Sequence, residues 1–269
     1  MSATPPYTLI TGASSGLGKA FAELFAQQSK PLILIALQDS GLKTLAEKLR
    51  QTYNTVVIYF TTDLTDATSL RLLVEQELLH RPIDTLINNA GTGGSKAMEH
   101  VQWPYIENIL RLNITALTFL TYSLLDQLKL QPHAWILNVS SMTCFHPTGF
   151  KTVYPASKAF VYTFSVGLRE ELKSSNVSVS VITPGPMMTN PEVTRRTKKQ
   201  GWFARIACLS PEKTAQIGLK KMYARKAVIT PGLGNKFFHL LSVLLPSAIR
   251  VPFLTNRVKV EISQFTNTK

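Results

Sequence analysis

A phenol and an ammonium group four residues apart can move a proton between them. Tyr154 and Lys158, in the run Tyr-Pro-Ala-Ser-Lys, hold that spacing, with Ser141 thirteen positions upstream. On a helix the two side chains share one face, about 6 Å apart along the axis. An ammonium beside a phenol favours the phenolate, so the tyrosine is expected to titrate below its ordinary value of about 10 and to serve as a general acid/base. With eight Tyr in 269 residues, such a spacing arises roughly half a time by chance. The pair therefore means chemistry only if other elements build a site around it.

Those elements are legible as short apolar runs alternating with helical patterns. Strands are expected at Tyr7 to Thr11, Pro31 to Ala36, Thr55 to Phe60, Ile83 to Asn88, Ala134 to Val139, Val177 to Thr183 and Ala227 to Thr230. Between them lie stretches with apolar residues at helical spacing, such as Leu42, Leu45, Ala46 and Leu49. Near-continuously apolar strands separated by helices predict a parallel sheet covered on both faces. The fold class is α/β, one doubly wound Rossmann-type domain with a parallel sheet of about seven strands. Residues 1–232 form that domain, and 233–269 are an apolar and basic extension packed on it.

Composition narrows the partners. The 45% hydrophobic content can bury one large core, and 17% charged residues do not describe a disordered chain. Cys144 and Cys208 fit no metal-ligand spacing, no metal site is expected, and a reducing cytoplasm is the simpler reading. No signal peptide and no membrane-spanning stretch are expected. The net charge of +13 is uneven: residues 1–190 carry 14 Lys/Arg against 13 Asp/Glu, residues 191–269 carry 15 against 3. That basic third could meet nucleic acid, anionic lipid or an anionic substrate, or simply be solvated. No nucleic-acid motif accompanies it, so nucleic acid is not an expected partner.

Directly after the first strand, Thr11-Gly12-Ala13-Ser14-Ser15-Gly16-Leu17-Gly18 opens a helix. Glycines there allow a tight turn and let backbone N–H groups approach a pyrophosphate at the helix N-terminus. This glycine spacing, with Asn88-Asn89-Ala90-Gly91 after the fourth strand, Asn113, Ser141, Tyr154 and Lys158 around the fifth, and Pro184-Gly185 with Thr189 after the sixth, resembles the short-chain dehydrogenase/reductase family. The match runs in order over about residues 7–190, nearest the branch of hydroxysteroid dehydrogenases and long-chain 3-ketoacyl reductases.

The resemblance implies an oxidoreductase that transfers a hydride between a nicotinamide cofactor and a carbonyl or alcohol. Tyr154 would exchange the proton with the substrate oxygen, Lys158 would lower the Tyr154 pKa and hold the nicotinamide ribose, and Ser141 would hold the substrate oxygen. Asn113 would support a water-linked proton path to Lys158. Gly12, Ser14, Ser15, Gly16, Leu17, Gly18, Asp63, Leu64, Asn89, Ala90, Gly91, Pro184, Gly185 and Thr189 would line the dinucleotide. Asp63 could instead be a helix N-terminal acid, and Asn89 a purely structural residue. NAD-selective members usually end the second strand on Asp, and NADP-selective ones follow that position with Arg. Here Ala36 and Leu37 stand there, Ser15 replaces a basic residue some relatives carry in the glycine loop, and Asp39 lies further on. NADP is the expected cofactor, with NAD as the alternative.

The resemblance makes 190–212 a substrate-covering segment, and because Glu192 to Leu209 mixes Trp202, Phe203 and Ile206 with Arg195, Arg196, Lys198 and Lys199, it implies a hydrophobic substrate, steroid-, retinoid- or long-chain acyl-like, with an anionic end left open. Ser210-Pro211-Glu212 then predicts a capped helix start. Further on, the apolar segment 235–245, broken by Pro246 and flanked by Lys236 and Arg250, could touch a membrane surface, cover the pocket or pack between subunits. A homodimer or homotetramer is expected, cytoplasmic, with peripheral membrane contact open. The alternative function is a non-catalytic dinucleotide-sensing or membrane-surface protein on the same fold.

Overall fold

Branched and apolar runs form the strands because both of their faces are buried. In the computed structural model, which describes residues 5–187 and 208–266, β1 (Tyr7–Thr11) and β2 (Leu32–Ala36) are buried at every position. The alternation of side chains decides where each goes. Leu32, Leu34 and Ala36 enter one core with Ile10, whereas Ile33 and Ile35 enter the other with Tyr7 and Leu9. The sheet is completed by β3 (Val57–Thr61), β4 (Ile83–Asn88), β5 (Ala134–Val139), β6 (Val177–Ile182) and the short β7 (Val228–Ile229). It is parallel throughout, in the order β3-β2-β1-β4-β5-β6-β7. The seven strands fall where the apolar runs predict, within two residues at each end.

Helices cover both faces. On one lie α1 (Gly16–Gln27) and α2 (Leu42–Tyr53), with α7 (Pro211–Tyr223) beside α1. Phe21 and Phe25 of α1 are fully buried, each stabilising by about 1.5–3 kcal/mol. Gly218 of α7 lets that helix in, since a Cβ there would stand 3.3 Å from the Phe21 ring and 3.0 Å from Ile182. The Ser210 hydroxyl accepts the Lys213 N–H at 3.2 Å and caps α7, as the Ser-Pro-Glu run predicts.

On the other face, α3 (Ala67–Leu73) continues into a wide π turn at Val74–Leu78. There too, α4 (Trp103–Leu110) passes through a second π turn, Arg111–Ala116, into α5 (Leu117–Lys129), and α6 (Val153–Glu171) follows β5. Beyond β7, α8 (Leu233–Leu244) ends before Pro246 and α9 (Ser247–Thr266) follows.

The order of strands reverses between β1 and β4. Side chains and loops at the carboxyl ends of parallel strands meet in the crevice that such a reversal opens, where open α/β sheets bind their ligands. A buried polar ladder fixes the neighbouring strands. Asn88 donates to Asn138 at 2.9 Å and to the Thr121 hydroxyl at 3.0 Å, and Asn138 donates to the Ser165 hydroxyl at 2.9 Å.

Candidate active site

The glycine loop is shaped by backbone conformations that side chains resist. Gly12 and Gly16 have φ of 64° and 52°, the left-handed region that costs other residues roughly 1–2 kcal/mol. A Cβ on Gly18 would lie 2.2 Å from the Gly12 carbonyl oxygen, so the loop folds flat on the first turn of α1. Ser15 occupies the N-cap without a side-chain cap bond, leaving the first-turn N–H groups and the positive end of α1 for an anion. The Asn89 amide pins the loop by donating to the carbonyls of Thr11 (2.9 Å) and Gly12 (3.1 Å), and the Thr11 hydroxyl accepts the N–H groups of Asn89 and Ala90, each at 3.0 Å. Asn89 thus has a structural task, the reading its sequence position leaves open. These residues fit the pyrophosphate of a dinucleotide.

At the adenosine end, Ala36 is buried and Leu37 is exposed. Leu64 is buried, and the Asp63 carboxylate accepts the Thr65 N–H at 2.9 Å and its hydroxyl at 2.8 Å. The helix cap is Asp66, which accepts the Thr68 and Ser69 N–H groups. Asp63 is therefore not the helix N-terminal acid. Pro184 and Gly185 follow β6; Pro184 accepts the Met142 N–H at 2.9 Å, and a Cβ on Gly185 would meet the Asn235 amide oxygen at 2.3 Å. Thr189 and the aromatic and basic residues of 190–207 lie outside the described residues.

Around β5 and α6 the remaining candidates converge. Lys158 is buried, donates to the Val139 carbonyl at 2.9 Å, and lies 5.9 Å from the centre of the Tyr154 ring. Burial pushes its ammonium down to about 8. The expected downward shift of Tyr154 is not what this structure gives. Burial raises the phenol, and the bond with the Ser141 hydroxyl only opposes it. The reason is desolvation: the pocket penalises the phenolate, and the nearby ammonium is held by a carbonyl instead of by the phenol. Cys144, which sequence reasoning leaves aside, adds to the same raising effect; its own thiol is pushed up to about 11 by burial.

Asn113 lies in the second π turn, fully buried. Its amide oxygen accepts the Thr92 N–H, and its NH2 donates to the Thr92 carbonyl and the Ser157 hydroxyl, all at 2.9 Å. Thr92 and Ser157 are site residues that sequence reasoning missed. Gly91 gives this corner its room: a Cβ there would be 3.0 Å from the Lys158 ammonium and 3.2 Å from the Asn113 amide oxygen. Gly93 does the same for Tyr154, whose ring a Cβ would strike at 2.2 Å. A phenol, a hydroxyl, an ammonium and an amide thus stand in the crevice that also holds the uncapped N-terminus of α1. That set can protonate an oxygen while charge moves at the neighbouring carbon. Among the described residues no group of three or more His, Cys, Asp or Glu could hold a metal.

Residues 6–200 match the sequence pattern of the short chain dehydrogenase family. The chain belongs to that family. Relatives of this short-chain dehydrogenase place it on the hydroxysteroid dehydrogenase and ketoacyl reductase branch. It is 31% identical over 182 residues to an uncharacterized oxidoreductase of Staphylococcus saprophyticus, covering 67% of this chain and 78% of that one. To 17-beta-hydroxysteroid dehydrogenase type 3 of Mus musculus it is 31% identical over 185 residues, 68% of this chain and 60% of the mouse protein, so it spans less than two thirds of that relative. A short-chain dehydrogenase from Sphingobium yanoikuyae, solved in complex with NADPH, superposes with a TM-score of 0.76 at 31% identity, over 88% of this chain and 93% of that one.

Proposed function

We propose that this short-chain dehydrogenase is an NADP(H)-dependent oxidoreductase for a hydrophobic carbonyl or alcohol, steroid-, retinoid- or long-chain acyl-like. The observation that carries the reading is the convergence of Asn113, Ser141, Tyr154 and Lys158 on the crevice beside the glycine loop. The nicotinamide, when bound, supplies the hydride to the carbonyl carbon. Tyr154 donates its proton to the carbonyl oxygen, and the Ser141 hydroxyl holds that oxygen in reach. Lys158, held by the Val139 carbonyl, would bind the nicotinamide ribose. Asn113 keeps the loop after β4 and the start of α6 in register, so that Lys158 and Tyr154 keep their distance. Gly12, Ser14 to Gly18, Asp63, Leu64, Asn89 to Gly91, Pro184 and Gly185 would take the dinucleotide.

NADP is favoured because no carboxylate closes β2 to repel a 2′-phosphate, and because the Sphingobium relative binds NADPH. The test is titration with both cofactors, followed by nicotinamide absorbance against a panel of steroid, retinoid, acyl and sugar carbonyls. NADPH is expected to bind roughly tenfold or more tightly than NADH and to be oxidised fastest by the hydrophobic members. Tighter NADH binding overturns the cofactor assignment, and turnover of no carbonyl with either cofactor overturns the enzyme.

The same reading makes the protein a cytoplasmic homodimer or homotetramer with peripheral membrane contact through 233–269. No described helix is long and apolar enough to cross a membrane, yet the extension is not buried as an apolar segment in a monomer usually is. Leu233, Phe237, Leu240 and Leu244, which fall on one stripe of α8, are exposed, as are Ile249 and Phe253 of α9. At the root of the stripe, Lys221 is desolvated and crowded by Lys236 and Lys226, which lower its pKa. Apolar side chains beside clustered cations suit an anionic bilayer surface. Sedimentation is expected to recover several-fold more protein with phosphatidylglycerol vesicles than with phosphatidylcholine, an excess removed by high salt or by Phe237→Asp. Equal recovery with both lipids, or a dimer that Phe237→Asp dissociates, would mean that a second copy covers the stripe.

A further inference from the structure

Two of the proton-transfer groups hang on one connection. Ser141 caps a short 3-10 turn, Met142–Phe145, its hydroxyl accepting the Thr143 N–H at 3.2 Å. The chain then runs through Phe150 to the start of α6, where Tyr154 sits. Connections of this kind open more readily than the elements they join, yet this one must hold a hydroxyl on a phenol. The sheet ties its near end, where the Met142 N–H donates to the Pro184 carbonyl at 2.9 Å. At its far end Phe150 has a φ of 60°, a left-handed conformation in which a bulky residue persists only if its surroundings over-determine it.

The surroundings of the far end include α8 and α9, which follow the last strand. The Gly149 N–H donates to the Thr255 hydroxyl of α9 at 2.9 Å. The Phe145 ring meets Tyr162 of α6 edge-on, centres 5.0 Å apart, and His239 of α8 at 4.0 Å. Burial, followed by the charges of Arg250 on α9 and His239 on α8, pushes the neighbouring His146 down to about 4, so its imidazole is neutral near pH 7. The fit at Gly149 is close: a Cβ there would stand 2.7 Å from Thr255 Cγ2 and 3.4 Å from the Thr255 hydroxyl oxygen. Thr255 could clear such a Cβ by changing rotamer, but that would carry its hydroxyl off the Gly149 N–H.

We propose that Thr255 and His239 are positioning residues: α8 and α9 brace the connection from Ser141 to Phe150 from outside and so keep the Ser141 hydroxyl on Tyr154. The inference rests on the oxidoreductase reading and gives the extension a part in it. Both residues act through the backbone of the connection. A misplacement of about 1 Å in a catalytic group can cost a hundredfold in rate. The glycine loop is clamped by Asn89 instead, so cofactor affinity should change little when the brace is loosened.

The test is a pair of substitutions at the close contact. Gly149→Ala is expected to lower kcat by roughly tenfold to a hundredfold, because the Cβ drives the connection off Thr255. Thr255→Ser removes Cγ2 and keeps the hydroxyl, so combined with Gly149→Ala it should restore most of the native kcat. That compensation between positions 106 residues apart is one a general loss of stability does not give. Thr255→Val, which keeps the shape and loses the acceptor, and His239→Ala should each lower kcat a few-fold. Cys144 supplies a readout that needs no turnover. It lies half-buried in the braced turn, and burial pushes its thiol up to about 11, so it reacts slowly while the turn is closed. Its alkylation by iodoacetamide, resolved from Cys208 by peptide mass, should quicken several-fold in Gly149→Ala and Thr255→Val and slow again in the double variant. A double variant no better than Gly149→Ala overturns the brace, and faster alkylation at native kcat overturns the positioning role. Should Gly149→Ala not fold, Thr255→Val and His239→Ala carry the same readouts, and native values in both overturn the proposal. If the native protein turns over no carbonyl, the oxidoreductase reading fails, and the alkylation rates alone decide whether the extension holds the turn.

Discussion

Tyr154→Phe is expected to lower carbonyl reduction by about 10²–10⁴-fold, the worth of a positioned general acid, while leaving the fold and cofactor affinity close to native. The ring has its own place: Gly93 lies flat against it, and a phenylalanine ring fills that slot equally well. Only the hydroxyl and its bond with Ser141 go. The pH profile of the native enzyme carries the same signature. Because burial raises the phenol above its ordinary value of 10.0, Tyr154 stays protonated through neutral pH. Reduction should hold there and decline only in alkali, whereas alcohol oxidation, which needs the phenolate, should climb with pH. Absorbance kinetics in both directions, with cofactor titration of the variant by fluorescence, check all of this. Retained reductase turnover in Tyr154→Phe would remove the tyrosine from the chemistry.

The seven strands and the glycine loop were legible because their signals are local. An apolar run bounded by turn residues, or a glycine spacing after a strand, needs no knowledge of distant neighbours. The Tyr154 ionisation was not, because desolvation depends on what the whole fold stacks over the ring; the spacing to Lys158 says only that the two can be near. Asn113 was found by its place in the family motif. Its task, bonding Thr92 at 21 residues' separation and Ser157 at 44, follows from a π turn that no periodicity announces. The run at 235–245 was legible only as apolar, since burial is a property of what packs on it, and α8 leaves its stripe exposed.

Lys158→Met should abolish most activity, by about a hundredfold or more, and yet make the protein more stable at neutral pH. A buried ammonium with one carbonyl partner and no carboxylate among its described bonds is a cost to the folded state. The pKa fixes the window. In the unfolded chain the lysine titrates near 10.5, and in the folded protein near 8. Below pH 8 both states hold the proton, and the full penalty stands. Between about 8 and 10.5 the folded state sheds its proton first, so the unfolded state binds more protons and native stability rises with pH. The ceiling is on the order of 3 kcal/mol. Methionine has similar reach and no charge, but leaves the Val139 carbonyl one bond short, returning about 1 kcal/mol. The variant should therefore gain roughly 1–2 kcal/mol at pH 7, with the gap closing as pH rises through 8 towards 10.5. Urea unfolding of both proteins across pH 6–10 measures it, and taking the difference largely cancels Cys144, whose raised thiol subtracts stability from both proteins above about pH 9. A variant less stable than native at every pH, or a gap independent of pH, would show that Lys158 is kept for packing. The expected crossing of activity and stability places the ammonium in the fold for its chemistry.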